Sequence, residues 1–360
     1  MSAVGPLAGR VGIVTGGGKG LGRAFALDLA AAGTRVVVNN RNREVDESGR
    51  GPADLVVSEI LAAGGAAVAD HSDVAAPDSA RSILETALRR YGRIDFLVTS
   101  AAISGVEMLH KTTPEHFDRV IATNLSGTAH LAAACSARMR TAGFGRIVLV
   151  ASSAGLHGEP TASAYSASKG AIIAFGRAIA VEGQRRGVLT NVLLPFATTQ
   201  MTEHGMDPRL RDVMSAEAVA PIVTALVDPA STLNGQVLVC GGGGLRVASA
   251  VEWGTVRLPP ERLTPAGLTA LIAQSRERPA RDYPDADASF RDFADELSRD
   301  HPGDLDPNGD SNPNGDLKTN GDLSPNGDLS PNGDLSPNGD LKPQREPADD
   351  LSRARGPAGR

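Results

Sequence analysis

A chain of 360 residues, 41% of them apolar, has material for one large domain or two small ones, because the buried fraction of a chain rises with its length. Its net charge of -6 gives no electrostatic reason to expect DNA, RNA or an anionic membrane surface as a partner, and no apolar run approaches the roughly 20 residues that a membrane span needs. Two cysteines, Cys135 and Cys240, make no disulfide framework, and residues 1–10 lack a basic-then-apolar leader pattern, so the expected compartment is the reducing cytoplasm.

From residue 10 to about 241, short β-branched apolar runs alternate with longer amphipathic stretches, the pattern of a parallel sheet with crossover helices. Strands are predicted over 11–15, 35–39, 66–69, 94–99, 146–151, 189–194 and 236–240, and helices over 21–32, 53–63, 77–91, 114–140 and 162–186. This is an α/β fold with a doubly wound sheet of seven parallel strands, assigned to residues 1–247. Residues 248–300 read as an appendage with one helix over 264–278, opened by Thr264-Pro265. From 301 a hexapeptide recurs, as in Pro325-Asn326-Gly327-Asp328-Leu329-Ser330, with leucine its only regular apolar residue. Such a turn-rich tail cannot bury enough surface to offset chain ordering and is predicted to be disordered; a thin solenoid or a calcium-binding repeat is the alternative.

The turn between the first strand and the first helix reads Thr15-Gly16-Gly17-Gly18-Lys19-Gly20-Leu21-Gly22. Glycines there let a pyrophosphate come close to a helix N-terminus, where N–H groups and the helix dipole meet its charge. A plain structural turn competes for glycines alone; the order strand, loop, helix favours the phosphate site. Farther along, Ser152 closes the fifth strand at the carboxyl edge of the sheet, where its hydroxyl can bond an oxygen that gains charge; Ser153 competes for this place. Tyr165 and Lys169 stand four apart in a helix and share a face, so the ammonium can stabilise a phenolate. Bringing a tyrosine from about 10 to near 7 takes roughly 4 kcal/mol, which nearby cations and a dry cleft supply. Tyr165 can then serve as acid or base.

The pattern Thr15-Gly16-xxx-Gly20-x-Gly22, joined to Ser152-xx-Gly155 and Tyr165-xxx-Lys169, resembles the short-chain dehydrogenase/reductase family of the classical type over about residues 8–245. The resemblance implies a Rossmann-type fold and a catalytic set of Tyr165, Lys169, Ser152 and Asn124, the last in the long helix, binding a water that links the lysine to solvent. It implies cofactor contacts from Gly16, Lys19, Gly20, Leu21, Gly22, Asn40, Arg41, Asp73, Val74, Ala101, Tyr165, Lys169, Pro195 and Thr199. Asp73 matches the aspartate near the adenine amino group; Thr199 is the candidate for the carboxamide, with Thr198 and Thr202 as alternatives. Where NAD-preferring members carry an aspartate against the ribose hydroxyls, this chain reads Asn39-Asn40-Arg41. No carboxylate there repels a 2′-phosphate, and Arg41 and Lys19 can pair with one, so NADP(H) is expected over NAD(H), unless Arg41 merely begins a solvated loop.

A looser resemblance, carried by the long loop 40–52, Ala180-Val181-Glu182-Gly183, the stretch 195–202 and the extension through Trp253, is to the (3R)-hydroxyacyl-CoA dehydrogenase part of multifunctional enzyme type 2. It implies a carbonyl or alcohol substrate such as a 3-oxoacyl or 3-hydroxyacyl thioester or a polyketide-like compound, no metal, and a homodimer or homotetramer. Segment 196–213, rich in methionine and threonine, is expected to lid the pocket. Two departures from the family stand out: Thr99-Ser100-Ala101-Ala102 replaces Asn-Asn-Ala-Gly, and Pro195-Phe196 replaces Pro-Gly. Both predict an altered pocket around an intact catalytic set. The rival reading is an NADP(H)-binding sensor or scaffold without turnover, using its tail for partners.

Overall fold

Consecutive residues of a strand point to opposite faces, so a run such as Val36-Val37-Val38 is buried throughout only if both faces of its sheet are covered. The computed structural model, which describes residues 5–41, 45–203 and 207–299, shows that arrangement. Strands β1 (Val11–Thr15), β2 (Arg35–Asn39), β3 (Ala66–Asp70), β4 (Phe96–Thr99), β5 (Gly145–Val150), β6 (Val188–Pro195), β7 (Val237–Gly241) and β8 (Gly244–Val247) form one sheet in the order β3-β2-β1-β4-β5-β6-β7-β8. The first seven are parallel, as expected.

Helices α1 (Gly20–Ala31), α2 (Pro52–Ala62) and α8 (Ala220–Val227) bring Phe25, Leu29, Val56, Ile60 and Val223 onto Val36, Val38, Phe96 and Val98. On the other face, α3 (Ser79–Tyr91), α5 (Gly127–Ala142) and α7 (Ser163–Gln184) bring Ile83, Leu131, Met139 and Ile172 onto Ile13, Val37, Leu97 and Leu149. Strand order reverses between β1 and β4, which opens a crevice at their carboxyl ends. Thr15, Asn39, Thr99 and Val150 all end strands along that edge. Among the described residues no helix is long and apolar enough to cross a membrane.

Several elements differ from the sequence-based expectation. β8 runs antiparallel to β7 through Gly242 and Gly243, whose φ of +55° and +78° permit the tight reversal; its four residues are exposed and carry no burial pattern to reveal it. The helix expected over 114–140 is two helices, α4 (Pro114–Ile121) and α5, joined by a π-turn at Ala122–Ser126. Helix α6 (Ser153–His157), α8 and α10 (Ala286–Arg299) were not expected, whereas α9 (Pro265–Arg276) was, and its N-cap Thr264 accepts from the Gly267 N–H. The repeat from 301 onward, and its predicted disorder, lie outside the described residues.

The turn from β1 into α1 is closed backbone against backbone. Gly16 sits at φ +64° with Ala101 N 2.8 Å from where a Cβ would be, and a Cβ on Gly22 would lie 2.2 Å from the Gly16 carbonyl oxygen. Neither obstacle is a flexible side chain. Gly22→Ala is therefore expected to destabilise the chain by about 1–3 kcal/mol, read as a lower midpoint in urea unfolding.

Candidate active site

At the carboxyl edge of the sheet lies a cavity of about 770 Å³. Its walls come from the β1–α1 turn (Gly16, Lys19, Gly20, Leu21), the end of β2 (Asn40, Arg41), the loop after β3 (Asp73, Val74), the loop after β4 (Ala101), the end of β5 (Ser152), α7 (Tyr165, Lys169) and the segment after β6 (Pro195, Thr199). Of the residues singled out from sequence, Gly22, Asn124 and Thr198 do not line it. Gly22 stands behind the turn, where it admits the Gly16 carbonyl.

One end of the cavity holds the phenol and the ammonium. Helix α7 presents Tyr165 and Lys169 one turn apart, with the lysine nitrogen 5.7 Å from the centre of the tyrosine ring. Lys169 is 3% exposed, and its Nζ donates to the Val150 carbonyl at 2.8 Å, so the side chain crosses from helix to strand. Burial disfavours the ammonium and pulls it down to about 8. Contrary to the lowering expected from the sequence, burial pushes the Tyr165 phenol above its usual value, because removal from water disfavours the phenolate, while the Ser152 hydroxyl works in the opposite direction. Both candidate serines line the cavity; it is Ser152 whose hydroxyl acts on the phenol, and its Oγ accepts from the Ala154 N–H at 3.1 Å to cap α6.

Asn124 acts behind this pair. A π-turn widens the helix by one residue and often marks a functional position. Here it carries Asn124, 1% exposed, toward the loop after β4. Its Oδ1 accepts from Ile103 N at 2.8 Å, and its Nδ2 donates to Ile103 O at 2.9 Å and to Ser168 Oγ at 3.0 Å. Ser168, fully buried, donates in turn to the Tyr165 carbonyl at 2.7 Å. Sequence reasoning missed Ser168, although a serine inside a long apolar helix is a signal, since its hydroxyl must find a partner.

The other end holds the charges expected at the adenosine. Arg41 and Asp73, assigned separately from the sequence, face each other: Arg41 NH1 lies 3.0 Å from Asp73 Oδ2. The end of β2 carries no carboxylate, as read, but one reaches the same place from the loop after β3. Among the three threonines considered, Thr198 does not line the cavity and donates to the Arg211 carbonyl at 3.0 Å. Thr202 donates to the Ala197 carbonyl at 2.6 Å, bracing the segment. Thr199 lies over the glycine turn, its Cβ 3.3 Å from where a Cβ of Gly20 would stand. Phe196, 42% exposed, and Met201, 48% exposed, line the same side.

These residues fit a dinucleotide: bare backbone and a helix N-terminus for the diphosphate, a guanidinium and carboxylate at one end, a phenol and an ammonium at the other. Such a cleft in a doubly wound sheet defines a nicotinamide-dependent oxidoreductase. A family model described as short chain dehydrogenase matches residues 10–209. A crystal structure of a short chain dehydrogenase from Mycobacterium avium is 37% identical, covering 78% of this chain and 99% of that one, with a TM-score of 0.67. The 3-oxoacyl-[acyl-carrier-protein] reductase of Synechocystis is 37% identical over 66% of this chain and 97% of its own. Peroxisomal multifunctional enzyme type 2 of Drosophila melanogaster is 35% identical over 69% of this chain, which spans only 40% of that enzyme. A structure named as an NAD(P)-dependent gluconate 5-dehydrogenase of Beutenbergia cavernae, solved with bound NADP, is 32% identical over 66% of this chain and 97% of that one, with a TM-score of 0.59. The chain belongs to the short-chain dehydrogenase/reductase family, whose members bind NAD(P).

The buried lysine has a measurable signature. Its folded value of about 8 lies below the 10.5 of an unfolded lysine, so between those values the unfolded chain binds the extra proton and stability rises with pH. Below pH 8 both states are charged and the cost of burial is paid in full. From pH 8 to 10 the cofactor-free protein is expected to gain roughly 2–3 kcal/mol relative to Lys169→Met, measured by denaturant unfolding across that range.

Proposed function

We propose that this enzyme interconverts a carbonyl and a secondary alcohol with NADP(H), on a 3-oxoacyl or 3-hydroxyacyl thioester or a polyketide-like analogue. The observation that carries the reading is that Tyr165, Ser152 and Lys169 line the same cavity as the glycine turn, with the lysine nitrogen 5.7 Å from the centre of the tyrosine ring. Bound NADPH supplies the hydride to the carbonyl carbon. Tyr165 gives its proton to the carbonyl oxygen as charge develops there, and takes it back in the oxidation. Ser152 orients that oxygen through its hydroxyl. Lys169, held at the Val150 carbonyl, stabilises the phenolate by its charge. Asn124 braces the loop after β4 and, through Ser168, the turn of α7 that bears Tyr165.

Thioester or polyketide-like substrates are supported by the likeness to the Synechocystis 3-oxoacyl-[acyl-carrier-protein] reductase and by the apolar wall of Ile103, Phe196 and Met201. NADP(H) is supported by Asn40 in place of a carboxylate and by Arg41 at the mouth of the adenosine end. We assign residues 1–247 to the catalytic domain and 248–300 to an appendage, supported by α9 having no buried residue and by a polar network of its own, in which Arg281 pairs with Asp292 at 2.6 Å and Glu296 at 2.9 Å. Small residues Ala132, Ala133, Ser136 and Ala137 of α5, facing Phe175 and Ile179 of α7 across a groove, support a homodimer or homotetramer. Two free, buried cysteines are compatible with a reducing cytoplasm.

Tyr165→Phe is expected to lower kcat by about 10²–10⁴ with keto-thioester substrates while NADPH binding stays within about threefold. A variant with unaltered turnover removes Tyr165 from the proton transfer. Arg41→Ala is expected to raise the KM for NADPH by about tenfold or more and to leave that for NADH nearly unchanged, as steady-state kinetics with both cofactors will register.

A further inference from the structure

We infer that Asp73 sets the cofactor preference by competing with the adenosine 2′-phosphate for Arg41. The inference rests on the proposed NADP(H) reading and goes beyond it, because it names a residue that restrains the preference rather than one that confers it.

Asp73 is not a loose surface acid. Its Oδ1 accepts from the Ala75 N–H at 3.1 Å and its carbonyl accepts from the Ala76 N–H at 2.9 Å, so the turn after β3 fixes the carboxylate and aims Oδ2 at Arg41. The Arg41 side chain on the other side is 30% exposed and lines the cavity. Its fork keeps other N–H groups for a second anion, so a phosphate bound there sits close to the Asp73 carboxylate. Two anions then share the Arg41 guanidinium, and the repulsion between them weakens the phosphate's hold. A nucleotide without the 2′-phosphate brings no such charge to this place. Neutralising Asp73 must therefore favour 2′-phosphorylated ligands selectively, through Arg41.

Calorimetric titration of the full chain with adenosine 2′,5′-bisphosphate and with AMP tests this without any turnover. Four proteins are compared: the parent chain, Asp73→Asn, Arg41→Ala and the double variant. The asparagine keeps an oxygen for the Ala75 N–H, and Asp73→Ser, which also keeps an acceptor, replaces it if the amide does not fold. Asp73→Asn is expected to raise the ratio of bisphosphate to AMP affinity about fivefold, since any effect at the adenine is common to both ligands, and the rise is expected to vanish when Arg41 is alanine. An unchanged or lowered ratio, or a rise that survives without Arg41, overturns the inference. A parent chain that binds AMP as well as the bisphosphate defeats the NADP(H) reading instead; the change on Asp73→Asn still decides the role of Asp73.

Discussion

A buried ammonium joins the helix that carries the phenol to the strand that leads into the serine. Lys169 reaches from α7 to the last carbonyl of β5, and β5 continues directly into Ser152. An ammonium with a neutral carbonyl in place of an anion is held at a cost, visible in its downward shift to about 8. The surrounding fold bears that cost because α7 is packed along its length by Ile172, Ile173 and Ala180, so the nitrogen cannot retreat to water without moving the helix. Tyr165 and Ser152 consequently meet at a place that neither could define alone.

The same logic extends backward from the site. Asn124 and Ser168 form a second tie, from the loop after β4 to the backbone of Tyr165, and every bond in it is buried or partly buried. Polar groups shut away from water are expensive to leave unpaired, so these bonds constrain geometry more than they add stability. Replacement of the family's amide-rich turn by Thr99-Ser100-Ala101-Ala102 is accommodated at the front of that loop, where Thr15 Oγ1 accepts from the N–H groups of Ser100 and Ala101 at 3.2 Å each.

What was legible in the sequence followed from local periodicity. The seven parallel strands announced themselves as apolar runs, and Tyr165 and Lys169 as a four-residue spacing, because both signals are complete within a few residues. Helix α8 was not legible: Ala220-Pro221-Ile222-Val223-Thr224-Ala225-Leu226-Val227 is short, apolar and partly β-branched, too brief for periodicity to assign it, and tertiary packing against α1 makes it a helix. The pairing of Arg41 with Asp73 was equally hidden. Each residue was found, but 32 positions separate them, and only the parallel register of β2 with β3 brings the loops together. Asn124 was placed in a continuous helix, since hydrophobic spacing does not register one extra residue in a turn.

That extra residue has a bearing on how this region can evolve. An α-helix rotates by about 100° per residue, so shortening 122–126 by one position restores regular hydrogen bonding and at the same time spins one flank of the segment against the other. Either α4 keeps its seat and α5 loses Leu131, Cys135 and Met139 from the core, or the reverse shift moves Val120 out of it. A change that improves the helix locally therefore breaks the molecule globally, and the irregularity is locked in place by the phase of everything that follows it.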